Sequence, residues 1–323
     1  MIEQGNTVKV LLTGSSGFVG KSLVPKVLGA GFGLATVSRG SDGLAKTEHY
    51  QIAQLNGDTD WTAILATAKP DVVIHAAARV HQMNDLSEDP LQAFRQVNTD
   101  GTMQLARQAA ATGVKRFIFV STIKVNGENT DNRAPFSHLD TPAPQDPYAI
   151  SKSEAELQLR QLARDTAMEV VIIRPPLVYG PGVKANFAAM LRLAGKNLPL
   201  PLGAVHNRRS MVALDNLVDL IVTCIHHPKA ANQVFLSSDD RDISTSELLR
   251  LMTRAAGKTP FLVPVPVSWL RLLAKLAGKQ AIIDRLCGNL QLDISHTKQV
   301  LGWQPVVTVE QGIARCLLKE EVC

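Results

Sequence analysis

The stretch Val8-Lys9-Val10-Leu11-Leu12-Thr13-Gly14-Ser15-Ser16-Gly17-Phe18-Val19-Gly20 decides the fold. A short apolar run ends in three glycines spaced Gly-x-x-Gly-x-x-Gly, and Leu23, Val24, Val27 and Leu28 follow at helical spacing. This reads as a strand, a tight turn and a helix. Gly14 takes backbone angles that a side chain forbids, Gly17 lets the backbone approach a bound group, and Gly20 lets the helix pack tightly on the strand. The N–H groups at the helix start then face an anion, most simply a cofactor pyrophosphate. The spacing differs from Gly-x-Gly-x-x-Gly, and a plain strand-to-helix turn with no ligand is the competing reading.

The chain has 323 residues, enough for two domains or one large α/β domain with a lobe. Its net charge of +5 is modest and no dense Lys/Arg block occurs, which argues against nucleic acid as a partner. A mild positive excess suits an anionic small substrate, and a solvated surface explains it equally well. Cys224, Cys287, Cys316 and Cys323 lie far apart without a Cys-x-x-Cys pair, so neither a metal site nor a disulfide framework is expected. The N-terminus shows no signal-peptide pattern and the first apolar run is too short to span a bilayer. We expect a reduced, cytoplasmic protein with no membrane insertion.

Outward from the opening stretch, Leu34–Ser38 is a strand followed by Arg39-Gly40-Ser41. An acidic residue at this point binds a ribose 2′-hydroxyl; Arg39 there is suited to a 2′-phosphate, which favours NADP(H) and leaves NAD(H) possible, and an arginine stacked on the adenine or simply solvated is the competing reading. A third strand is expected around His49 to Leu55, with Gly57-Asp58 placed to meet the adenine. Asp71–Ala78 is a continuous apolar strand whose small end, with Ala76 and Ala77, leaves room for a cofactor backbone. His75 within it is a tempting base, but a structural histidine bonded to neighbouring backbone is the favoured reading. Residues 79–91 read as a polar loop. A helix from about Gln92 to Thr112 carries Asn98, a poor interior helix residue that kinks the helix, holds a water or is simply a surface amide.

Lys115–Thr122 is the next buried strand, ending in Ser121 and Thr122 at the sheet edge where α/β folds place ligands. A Pro/Asp/Ser/Thr-rich loop leads into Tyr148-Ala149-Ile150-Ser151-Lys152 and a helix to about Ala167. Tyr148 and Lys152, four apart, share one helix face. Glu169–Arg174 is a strand ended by Pro175-Pro176. Beyond Pro176 the composition shifts to loops around a helix near Asn186 to Ala194. Val212–Ile225 reads as a return to the nucleotide-binding core. Val267–Ala277, with Trp269, Leu270, Leu272, Leu273, Leu276, Arg271 and Lys275, has the pattern of a membrane-surface helix; a helix packed on a second lobe is preferred. No internal repeat or low-complexity tract is present.

The glycine turn, Ser121-Thr122 and Tyr148-x-x-x-Lys152 stand in an order that resembles the extended short-chain dehydrogenase/reductase family, whose members act on nucleotide sugars. Almost the whole chain is covered. Asn98-x-x-Gly101-Thr102, Arg174-Pro175-x-x-Val178-Tyr179-Gly180-Pro181 and Leu301-Gly302-Trp303-x-Pro305 are similar to further landmarks of the family. Arg209-x-x-Val212-x-x-Asp215 resembles the segment whose arginine reaches the substrate diphosphate. The resemblance implies an α/β, doubly wound parallel sheet (a Rossmann fold) with a smaller C-terminal substrate-binding lobe. It places residues 1–176 and about 211–238 in the dinucleotide domain, and about 177–210 and 239–323 in the lobe.

The chemistry fits the same roles. Hydride transfer at an alcohol carbon needs a proton acceptor on the oxygen, and a free tyrosine, with a pKa near 10, is too weak an acid to serve. A neighbouring Lys152 ammonium and an oxidised nicotinamide would lower it. Thr122 would hydrogen-bond the reacting oxygen. The resemblance implies that Gly14, Ser16, Gly17, Phe18, Val19, Arg39, Asp58, Ala76, Ala77, Asn98, Tyr148, Lys152 and Pro175 hold the cofactor. Lys124, Asn126, Asn186, Arg209 and Arg285 are the candidates for the sugar nucleotide, although Lys124 and Arg285 are read as surface residues first. No metal is expected, and a homodimer is implied.

Departures from the family narrow the reaction. Thr122-Ile123-Lys124 stands where its 4,6-dehydratases carry Thr-Asp-Glu, so the acid and base for dehydration are missing. Asn126 replaces the tyrosine of the usual Val-Tyr-Gly and marks an altered pocket. Two enzymes remain: a 4-ketoreductase using exchangeable NADPH on a UDP-4-keto-6-deoxy-hexose, and a UDP-hexose 4-epimerase with bound NAD. Arg39, and a resemblance of residues 121–128 to enzymes of surface-polysaccharide pathways, favour the reductase. A non-catalytic NADP-binding redox sensor is the reading from another class, and the presence of Tyr148 and Lys152 speaks against it.

Overall fold

The computed structural model describes residues 7–40, 47–80 and 88–318. The strands are β1 (Lys9–Thr13), β2 (Gly33–Ser38), β3 (Glu48–Gln51), β4 (Val72–His75), β5 (Arg116–Val120), β6 (Glu169–Arg174), β7 (Leu177–Tyr179), β8 (Met211–Ala213) and β9 (Val234–Leu236). The helices are α1 (Phe18–Gly29), α2 (Thr62–Ala68), α3 (Pro90–Arg95), α4 (Gly101–Ala111), α5 (Pro147–Asp165), α6 (Ala185–Lys196), α7 (Leu214–His226), α8 (Thr245–Ala255), α9 (Val267–Leu276), α10 (Gln280–Cys287), α11 (Ser295–Leu301) and α12 (Val309–Arg315). A seven-stranded sheet has the order β3-β2-β1-β4-β5-β6-β9, every pair parallel. The chain thus reverses its direction of travel across the sheet between β1 and β4, and the crevice outside their C-terminal ends is the place for a ligand in such a sheet.

The continuous apolar strands follow from two covered faces. Side chains alternate across a strand, so Val10 and Leu12 join one core with α1 and α7, while Leu11 joins the other with α2, α4 and α5. The same alternation runs through β4, β5 and β6: Ile118 faces one core, Phe117 and Phe119 the other.

The turn after β1 is built as its glycines require. Gly14 has φ +77°, and a Cβ there would lie 2.6 Å from the backbone nitrogen of Ala77. A Cβ on Gly20 would lie 2.0 Å from the carbonyl oxygen of Gly14. Helix α1 therefore starts in direct contact with the turn. Gly20→Ala is expected to force these backbones apart and to lower stability by roughly 1–3 kcal/mol, read as a fall in the urea midpoint.

Three expected elements come out differently. The strand at Asp71–Ala78 ends at His75, because Ala76 and Ala77 turn against Gly14. The strand after Arg39 is shorter and earlier, Glu48–Gln51. The helix of Gln92–Thr112 starts at Pro90, capped by Asp89, and is broken by a π turn over Gln96–Asp100 before α4 begins. Ser41 and residues 81–87 of the expected polar loop lie outside the described residues.

Strands β7 and β8 pair with each other and not with the large sheet, while α7, directly after β8, packs on α1. Helices α6, α8 and α12 enclose a third core around Tyr179, Phe187, Met252 and Ile313. A buried polar chain ties this core to α7. The Tyr179 hydroxyl donates to Asp239 (2.6 Å), which also accepts from the Asn216 amide (2.7 Å), and Asn216 in turn accepts from the Val307 N–H (2.9 Å). Helix α9 forms where expected, but only Leu270 and Ala274 are buried against the lobe. Among the described residues no helix is long and apolar enough to cross a membrane.

Candidate active site

At the C-terminal end of β1, Gly14, Ser16, Gly17, Phe18 and Val19 form a concave turn opposite Ala76 and Ala77. The Phe18 and Val19 side chains pack into the core, and no side chain caps the helix at Gly17. The amides of the first turn of α1 are thereby left for an anion. The absence of Cβ atoms at Gly14 and Gly17 and the small Ala76-Ala77 wall fit a dinucleotide pyrophosphate. Arg39 and Asp58 are exposed at the ends of β2 and of the Asn56–Asp58 loop. Pro175 is buried where β6 ends, its carbonyl accepting from Ile123 N–H (2.9 Å).

Asn98 is neither a surface amide nor a loose kink. It is fully buried in the π turn; its side chain accepts from Arg79 N–H (2.8 Å) and donates to Arg79 O (3.1 Å) and Ser151 Oγ (3.0 Å). Ser151 Oγ donates to Tyr148 O (2.8 Å). Asn98 thus joins the segment after β4 to the first turn of α5.

His75 is structural, held by hydroxyls rather than by the backbone expected. The Thr102 hydroxyl donates to Asn98 O (2.7 Å), so it accepts from His75 Nε2–H (3.0 Å); Nδ1 then accepts from the Thr13 hydroxyl (2.7 Å). Complete burial, aided by the Lys152 charge, pushes its pKa down to about 3, so the ring is neutral and too weak a base to take up a proton near neutrality.

Helix α5 starts by design: Asp146 caps it by accepting from Ala149 N–H (2.7 Å), and Pro147 occupies its first position. Tyr148 and Lys152 share a face, and Glu156 continues it one turn on. Lys152 Nζ donates to Val120 O (2.9 Å) at the end of β5 and lies 4.2 Å from the Phe119 ring centre. Glu156 is clamped by Arg174 from β6 (Nε–Oε1 3.0 Å, Nη2–Oε2 2.5 Å) and accepts from Ser121 Oγ (2.5 Å). Arg174 also donates to Asn126 Oδ1 (2.8 Å), and Asn126 Nδ2 to Ser137 O (2.8 Å). All four side chains are buried. Asn126 therefore anchors the Arg174–Glu156 pair from below, and Ser121 faces inward rather than toward a ligand. Glu156 was not singled out from sequence, although its place four residues after Lys152 would have identified it.

In the protein without cofactor, burial raises the Tyr148 phenol to about 12, with the Asp146 charge adding to it; the lowering expected from the sequence is for the site with an oxidised nicotinamide bound. Burial also brings Lys152 down to about 7, against the opposing pull of Glu156. The consequence for stability has a definite sign. Between about 7 and the ordinary 10.5 the unfolded chain holds a Lys152 proton that the folded chain has lost, so this group makes stability rise with pH there. The limiting slope is about 1.4 kcal/mol per pH unit. Lys152→Met should flatten the urea-stability profile over that window by this contribution; identical slopes in both proteins would refute it.

Thr122, at the mouth of β5, accepts from Lys124 N–H (3.3 Å). The Lys124 ammonium pairs with Glu128 (3.1 Å) and Asp146, so it staples the turn after β5 to the start of α5 rather than standing alone on the surface. Arg209 donates to Arg285 O (2.9 Å) and Gly288 O (3.2 Å). Burial, and then the charge of Arg285, make its cationic form harder to keep. A cation held at that cost gains from an anion beside it. Asn186 is exposed in the first turn of α6. Among the described residues no His/Cys/Asp/Glu cluster is arranged to hold a metal.

A parallel Rossmann-like sheet with a glycine cradle at its switch point defines a dinucleotide-binding scaffold. The chain belongs to the NAD dependent epimerase/dehydratase family, whose sequence profile matches residues 10–236. It is 52% identical over 309 residues to a UDP-glucose 4-epimerase of Vibrio cholerae, covering 94% of this chain and 92% of the relative. It is 30% identical to a UDP-glucose 4-epimerase of Mycolicibacterium smegmatis over 95% of this chain and 97% of that one. Among solved structures, the UDP-glucose 4-epimerase of Thermotoga maritima with UDP-glucose matches with a TM-score of 0.75 at 25% identity, covering 95% of this chain and 96% of that one. The protein is an enzyme of the nucleotide-sugar class, in an NAD-dependent family.

Proposed function

We propose that the protein interconverts a UDP-hexose and its C4 epimer, using a tightly held NAD. What supports the epimerase over the ketoreductase is the 52% identity, across 94% of the chain, to a UDP-glucose 4-epimerase. Bound in the cradle, NAD supplies hydride acceptance and return, and its oxidised form supplies the positive charge that the Tyr148 environment otherwise lacks. Tyr148 takes the proton from the C4 hydroxyl and returns it to the C4 oxygen once the sugar has turned its other face to the hydride. Thr122 holds that oxygen. Lys152, fixed on Val120 O, binds a ribose hydroxyl and favours the phenolate. Arg209 and Arg285 grip the diphosphate while the keto-sugar turns, with Asn186 as a further contact. Lys124 and Asn126 act from behind, holding α5 and the loop after β5 in place. The implied homodimer belongs to this proposal; Leu157 on α5 is the exposed apolar residue available to it.

One observation favours the reductase as a second reading: Arg39, exposed at the end of β2, where an acid would suit NAD. The nucleotide carried by the purified protein decides between them. NAD retained through dialysis, with UDP-glucose and UDP-galactose interconverted and no net absorbance change, is the expected result. An empty protein that consumes NADPH on a UDP-4-keto-6-deoxy-hexose would replace the epimerase by the reductase.

A further inference from the structure

Helix α9 is apolar on a face that the lobe does not cover. Trp269, Leu272, Leu273 and Leu276 recur at i, i+3, i+4 and i+7, so they form one stripe. They are 59% to 79% exposed, whereas Leu270 and Ala274, on another face, are buried. Helix α10 follows a turn at Gly278 (φ +65°), packs against α9 and adds exposed Ile282. Exposed Phe261 and Val263 precede the hairpin. Monomeric soluble proteins seldom present so many large apolar side chains together.

The charges around this face all but share one sign. From residue 258 to 285 the chain carries Lys258, Arg271, Lys275, Lys279 and Arg285 against the single acid Asp284, which pairs with Arg271 (3.5 Å), and all six are exposed. Arg271 and Lys275 form their own stripe beside the apolar one. An apolar stripe with tryptophan, flanked by cations, matches the chemistry of an anionic lipid surface: the ring and leucines enter the headgroup boundary and the ammonium groups meet phosphates.

We propose that the α9–α10 hairpin docks the enzyme peripherally on an anionic phospholipid bilayer. This goes beyond the epimerase reading and does not depend on it. Docking sets the hairpin that carries Arg285, and with it the candidate diphosphate grip, at the membrane surface.

Trp269 reports the docking directly, because Trp61 and Trp303, the other two tryptophans, are buried. The full chain is mixed with vesicles of phosphatidylglycerol and phosphatidylethanolamine, and separately with vesicles of phosphatidylcholine. With the anionic vesicles, co-sedimentation, a blue shift of Trp emission and protection from iodide quenching are expected. Leu272→Ser with Leu276→Ser should weaken partitioning on the order of a hundredfold. Lys275→Glu with Lys279→Glu should remove the preference for anionic lipid. Both double variants should retain turnover of soluble UDP-glucose if the epimerase reading holds, so failure of one proposal is distinguishable from failure of the other. Absence of binding, equal binding to phosphatidylcholine, or binding unaffected by the leucine variants would overturn the proposal. So would a dimer that the leucine variants dissociate and vesicles do not compete for, which would assign the stripe to a second copy of the chain.

Discussion

Tyr148→Phe is expected to reduce kcat for UDP-hexose epimerisation by roughly 10²- to 10⁴-fold, the usual worth of a positioned acid–base group. The substitution keeps the ring, which meets Phe94 edge-on at 6.0 Å between centroids, and removes only the hydroxyl. The content of bound NAD and the urea midpoint should therefore stay near the parent values while turnover collapses. The pH profile adds a second check. Burial holds the phenol near 12 in the protein alone, so the activity of the loaded enzyme near neutrality requires the bound cofactor charge to bring it down. A variant with unchanged turnover would remove Tyr148 from the chemistry.

Arg174→Met should cost about 3–5 kcal/mol of stability, because it leaves the Glu156 carboxylate buried without its principal cation. Arg160, a further cation beside it, is 3.7 Å away and half exposed. The double substitution Arg174→Met with Glu156→Met should recover much of the loss, since the unpaired charge goes too. Urea denaturation of the two single variants and the double variant gives the coupling energy. A loss below about 1 kcal/mol in Arg174→Met would show that the pair contributes nothing beyond its packing. The pair also has a positional role: Glu156 lies one turn beyond Lys152, and the Arg174 clamp fixes the helix face that carries Tyr148 and Lys152.

Local sequence determined the framework of this protein. The short continuous apolar runs and the glycines at 14, 17 and 20 act through backbone sterics and neighbours a few residues away, so strand, turn and helix could be read without a structure. The Tyr148–Lys152 spacing belongs to the same class, because one helix turn brings the two together whatever surrounds it. Burial, in contrast, depends on what arrives from distant parts of the chain. Only the assembled fold made Asn98 a buried link between the segment after β4 and α5, turned Asn126 toward Arg174, and paired Lys124 with Asp146. The same holds for electrostatics: the charge of Lys152 and the acidity of Tyr148 were decided by desolvation, a long-range property. The face of α9 follows the same division. Its amphipathic pattern is local, but which stripe meets the lobe and which stays bare was chosen by the packing of Leu270 and Ala274.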